Sequence, residues 1–202
     1  MPPSTKKKTP TTRGGRQPKP AASELAARSP AELRVALAQI APLLGDRTRN
    51  LDKHFEQIEA AKREGADLVV FPELSLTGYF LRDMVPEVAL ARSSLEIAQL
   101  IEAAGSLSLV AGFVEEAGGH QFHNAAFYAE AGRLLHVHRK VYLPTYGLFE
   151  EQRYFSPGRR FQAFAASRLG RVGMLICEDL WHVSAATVMQ AEEVDVLICV
   201  IN

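Results

Sequence analysis

Cysteine is scarce in this chain, tryptophan occurs once, and the formal net charge over 202 residues is zero. The two cysteines, Cys177 and Cys199, form no C-x-x-C pair, which argues against a disulfide framework and against a zinc site. His120, His123, His136, His138 and His182 show no ligand spacing of the H-E-x-x-H kind and are read as surface, hairpin or loop residues; no metal is expected. Phosphate-cradling glycine loops are missing too, and no cofactor is implied. No run reaches the roughly 18 apolar residues of a membrane span, and the amino terminus lacks the apolar core of a secretory signal. A cytoplasmic protein without membrane contact is the expectation.

Neutrality hides an asymmetry. Residues 1–30 carry seven Lys or Arg against the single acid Glu24, which leaves 16 basic and 22 acidic residues downstream. This Pro-, Thr- and Gly-rich segment has almost nothing to bury, so a disordered basic tail is expected. Nucleic-acid contact through it ranks low, because it offers no aromatic ring for stacking on bases. The prolines and glycines likewise argue against a transit-peptide helix.

A domain is expected over residues 31–202. L-R-V-A-L-A-Q-I, from Leu33, alternates like a strand with one covered face. Leu51, Phe55 and Ile58 then recur at helical spacing, with Gly65 as a stop, and residues 67–71 read as a short buried strand. A second helix is predicted from Pro86 to about Ala104. Strands at 107–114 and 124–128 flank the turn at Gly118 and Gly119, and a third strand spans 133–138. Residues 139–158 have no convincing period, yet five aromatic rings argue against disorder, so this segment is read as a pocket wall. A hairpin around Leu169 and Gly170, a helix at 184–192 and a final strand complete the chain. With nothing after that strand to cover it, a truncated domain is expected.

Chemistry concentrates at strand ends. R-V-G-M-L-I-C-E-D-L-W delivers Cys177 to the end of an apolar run of strand length, and Glu73 and Lys140 stand at or just beyond two others. A thiol nucleophile needs a base or a positive neighbour, and amide cleavage needs a proton donor for the departing amine. Glu73 can serve both proton roles, and Lys140 can stabilise an oxyanion. Spacing alone leaves open whether the three converge, and Cys177 could equally be a small core residue.

Three ordered blocks resemble the carbon-nitrogen hydrolase, or nitrilase, superfamily: F-P-E-L-S-L-T-G-Y, H-R-K-V-Y-L-P and C-E-D-L-W. The resemblance implies an α/β fold, a four-layer αββα sandwich of the nitrilase type. It further implies a Glu73-Lys140-Cys177 triad that hydrolyses non-peptide amides or nitriles through a thioester or thioimidate. In E-E-Q-R-Y-F-S-P-G, Glu151 lies six residues before Pro157, at the spacing of a second family glutamate that would orient Lys140. The chain is most similar to the glutaminase domains of glutamine-dependent NAD synthetases and to related free-standing amidases, although no S-G-G-x-D-S-type synthetase segment is present. By that similarity Tyr146 and Phe149 would line the substrate entrance and Glu178 and Trp181 would flank the nucleophile, with the Glu178 N–H as an oxyanion donor. Packing of the loop by Tyr146 and Phe149, and a core position for Trp181, are the bland alternatives. A small carboxamide is the implied partner, with glutamine among the candidates, and a homo-oligomer is expected. The competing expectation is a non-catalytic fragment acting as a structural or regulatory partner.

Overall fold

The computed structural model describes residues 32–202; the basic tail expected over residues 1–30 lies outside the described residues. The order of elements is β1 (Val35–Leu37), α1 (Arg47–Arg63), β2 (Leu68–Val70), α2 (Val85–Val88), α3 (Leu95–Ala104), β3 (Ser108–Ala117), β4 (Gln121–Glu130), β5 (Arg133–Arg139), α4 (Glu151–Tyr154), β6 (Phe164–Ala166), β7 (Gly170–Ile176), α5 (Val183–Ala191) and β8 (Val196–Val200).

Local chemistry sets most of these limits. Asp46 caps α1 by accepting from the Arg49 N–H at 3.0 Å, Lys62 and Arg63 sit in its last turn, and Gly65, at φ 64°, lets the chain leave it. The predicted helix from Pro86 to Ala104 is instead two helices. Between α2 and α3 the backbone turns extended at Ala89, and Leu90 pairs with Glu115, donating to the Val114 carbonyl and accepting from Glu116 N–H, both at 2.9 Å. Arg92 and Arg139 then meet the buried Glu115 carboxylate. Pairing with a sheet and with a buried charge thus overrides the helical propensity of Ala89, Leu90, Ala91 and Arg92. A single turn, α4, also stands inside the long segment that sequence alone reads as irregular.

Two sheets form. One has the order β1-β2-β3-β4-β5, parallel across β1, β2 and β3 and antiparallel across β3, β4 and β5; the other has the order β6-β7-β8 with β7 and β8 parallel. Strand alternation assigns each face. Val69, Leu109, Ala111, Phe113, Ala125 and Phe127 face α1 and α3, where they meet Ile58, Ile97 and Leu100. Leu68, Val110, Ala126 and Tyr128 point the other way and pack on Val172, Met174, Ile176, Ile198 and Val200 of the second sheet. The outer face of that sheet offers Leu175 to Ala185 and Met189 of α5. The layers are therefore helix, sheet, sheet, helix: the four-layer αββα arrangement of the nitrilase type.

Candidate active site

Glu73 follows β2 in a loop pressed flat on β3. A Cβ added at Gly112 would lie 2.3 Å from the Leu74 nitrogen and 2.6 Å from the Pro72 carbonyl oxygen, so only glycine admits this approach. Ser75 anchors the same loop: its Oγ accepts from the Gly112 N–H at 3.2 Å and lies 2.9 Å from His54 Nε2 of α1. Burial pushes His54 down to about 4, so the ring is neutral. Because His54 Nδ1 lies 2.7 Å from the Asn50 carbonyl, which can only accept, the proton is on Nδ1 and Ser75 donates to Nε2. Leu74, next to Glu73, has φ 50°, a left-handed conformation costing on the order of 1 kcal/mol for a non-glycine residue.

Lys140 stands immediately after β5, its side chain fully buried. Its backbone is fixed from both sides: its N–H donates to the Asn124 carbonyl at 2.8 Å, and its own carbonyl accepts from Gly158 at 2.7 Å. A Cβ at Gly158 would fall 2.2 Å from the Arg139 carbonyl oxygen, which accounts for glycine in the S-P-G turn. The Lys140 Nζ lies 2.8 Å from Glu73 Oε1 and 2.6 Å from Glu151 Oε1. Burial by itself would lower its pKa, but the two carboxylates outweigh that and hold it above the usual lysine value.

Both glutamates carry further donors. Asn124 Nδ2 donates to Glu73 Oε1 at 2.7 Å, and the Tyr79 hydroxyl donates to Glu151 Oε1. Glu73 Oε2 and Glu151 Oε2 are buried without a hydrogen bond among the described residues. Burial raises the pKa of Glu151 against the pull of Lys140, and burial together with the Glu151 contact raises that of Tyr79.

Cys177 directly follows β7 and opens a 3-10 turn, Cys177–Trp181, at φ 45°, a strained conformation that turns the chain sharply out of the sheet. It is half-buried against the inter-sheet core and is a free thiol. Burial first, then the negative charge of Glu73, push the thiol up to about 11 against the pull of Lys140; Glu151 adds to the rise. Glu73, Lys140 and Glu151, from three separate stretches of chain, thus meet in one hydrogen-bonded cluster, and Cys177, from a fourth, lies near enough to feel the charge of all three.

The remaining predicted residues are arranged less uniformly. Tyr146 is exposed and donates to Glu178 Oε2 at 2.8 Å, and Phe149 stands edge-on to both Tyr146 and Tyr79. Glu178 sits beside Cys177 and also lies 3.5 Å from His182 Nε2. Trp181 is 76% exposed, so it is neither core nor part of the buried cluster. The reading of the histidines fails at two positions: His123 and His138 are buried, the first with Nδ1 2.7 Å from the Ser156 carbonyl, the second with Nε2 2.8 Å from Asp179. Sequence reasoning also passed over Tyr79, Asn124 and Asp179. A polar residue in the otherwise apolar N-A-A-F-Y run was the only signal for Asn124, and Tyr79 stood unassigned in the motif around Glu73.

Known proteins share sequence and fold with this chain. The chain is 37% identical over 165 residues to the glutamine-dependent NAD(+) synthetase of Acinetobacter baylyi, covering 81% of this chain and 30% of that protein. Among solved structures it resembles the glutamine-dependent NAD+ synthetase of Acinetobacter baumannii, with a TM-score of 0.74 and 32% identity over 84% of this chain and 32% of that one. The NitN amidase from Neterenkonia sp. AN1 gives a TM-score of 0.73 and 25% identity over 83% of this chain and 66% of that one. The chain spans about a third of the length of the synthetases it matches. Residues 34–202 match the carbon-nitrogen hydrolase family, and the chain belongs to it.

Proposed function

We propose that this domain hydrolyses the carbon–nitrogen bond of a small carboxamide, glutamine being the first candidate, through a thioester on Cys177. The observation that carries the reading is the buried Glu73-Lys140-Glu151 cluster, whose charges act on a cysteine held at φ 45°. With its pKa near 11 the thiol is protonated at neutral pH, so the proton must leave as the sulfur attacks. Glu73 Oε2, free of other hydrogen bonds among the described residues, is the acceptor in this scheme.

The Cys177 Sγ–carbon bond forms as the amide carbonyl becomes an oxyanion, held by Lys140 Nζ and the Glu178 N–H. Glu73 returns the proton to the nitrogen, the carbon–nitrogen bond breaks, and ammonia leaves a thioester. Water then attacks that thioester with Glu73 again as base, releasing a carboxylic acid and the thiol. Glu151, held by Tyr79, fixes the Lys140 ammonium and balances its charge. Tyr146, Phe149 and Glu178 border the entrance in this scheme, with the exposed Trp181 at the end of the turn that Cys177 opens.

Ammonia release from glutamine and a panel of simple amides tests the reading. Cys177→Ala is expected to abolish release, and Glu73→Gln to lower it by roughly 10²–10⁴-fold. Release unchanged in both variants would overturn the mechanism.

A further inference from the structure

Asp179, two residues after the nucleophile, has no exposed surface. Its Oδ1 accepts from the backbone N–H of Val141 and of Tyr142, each at 2.9 Å. Its Oδ2 accepts from the Ile176 N–H at 3.1 Å and lies 2.8 Å from His138 Nε2. One carboxylate therefore ties the residue before Cys177 to the two residues after Lys140 and to the side chain two residues before Lys140. His138 is itself 2% exposed and lies in the inter-sheet region, its ring stacked on Phe161 with centroids 5.9 Å apart.

We propose that the buried Asp179–His138 pair is a positioning clamp that sets where Cys177 stands relative to Lys140. This rests on the reading of Cys177 and Lys140 as nucleophile and oxyanion residue. Neither Asp179 nor His138 touches the reacting atoms; they act through the two segments they join. The strained backbone at Cys177 makes such a clamp necessary, because a left-handed non-glycine residue relaxes unless its surroundings hold it. The four acceptor contacts also dictate the residue type. In an asparagine the amide nitrogen would face the Ile176 N–H or the backbone N–H pair, leaving donor against donor.

The experiment compares His138→Leu, His138→Gln, Asp179→Asn and Cys177→Ala with wild type in kcat, KM, Tm and the rate of Cys177 alkylation by iodoacetamide at pH 8. Loss of the His138 donor is expected to lower kcat about 10-fold with KM changed less than about 2-fold, and Gln, which keeps an N–H donor, to recover most of it. Asp179→Asn is expected to lose about 100-fold. In His138→Leu the loosened Cys177 moves toward water and is alkylated several-fold faster, a readout that does not depend on turnover. Unchanged kcat and alkylation in His138→Leu would overturn the clamp, as would a Gln variant no better than Leu at equal Tm. Full activity in Cys177→Ala would instead overturn the underlying assignment. If Asp179→Asn fails to fold, the Leu and Gln pair decides the outcome.

Discussion

Around Cys177 two carboxylates, Glu73 and Glu151, stand against the single ammonium of Lys140, and that balance works against a thiolate. Removing either negative charge should lower the thiol pKa even where it destroys catalysis. Glu73→Gln and Glu151→Gln are therefore expected to move the pH profile of Cys177 alkylation downward from about 11, while Glu73→Gln loses hydrolysis. A profile unmoved or shifted upward in both would contradict the electrostatic account. The four clustered residues were legible in sequence because each lies in a compact motif, at the end of an apolar run or at fixed distance from Pro157. Their partners were not. Tyr79 meets Glu151 across 72 positions and Asn124 meets Glu73 across 51, and no period in the chain encodes such a meeting. His138 was misread for the same reason: nothing near it announces Asp179, 41 residues later.

Elements place these side chains through close approaches of backbone rather than through loops alone. The Glu73 loop lies on β3 because Gly112 has no Cβ, and α1 holds the loop's far side through His54 and Ser75. Gly112→Ala must push Pro72, Glu73 and Leu74 away by several tenths of an ångström or more. The expected result is a loss of about 100-fold in kcat, together with a stability loss of about 1–3 kcal/mol measured by urea unfolding. Wild-type kcat in a folded Gly112→Ala would contradict this placement of Glu73. At this scale α1 was readable from its apolar spacing and its glycine stop, and the β3-β4-β5 meander from its glycine turns. The break between α2 and α3 was not, since it depends on Leu90 finding Glu115 at the end of β3.

The whole molecule brings the site together where its two sheets face one another. Glu73 follows a strand of the first sheet, Lys140 follows another, and Cys177 follows the central strand of the second. The apolar layer of Val110, Tyr128, Met174 and Ile176 sets the spacing between them. Both faces of β3 and β4 are covered in the structure, but which sheet each strand joins was not legible in the sequence, because pairing partners are not written in local composition; the resemblance implied only the four layers. Among the described residues no helix is long and apolar enough to cross a membrane. A chemical intermediate on this framework is the claim on which the rest depends, and it can be weighed directly. The wild-type chain is mixed with a carboxamide substrate, quenched in acid within the first turnovers and measured by intact mass and peptide mapping. The account predicts a transient gain equal to the acyl group less one hydrogen, confined to the peptide containing Cys177 and absent from Cys177→Ala. Ammonia release by Cys177→Ala at the wild-type rate, with no adduct on any cysteine of the wild type, would contradict it.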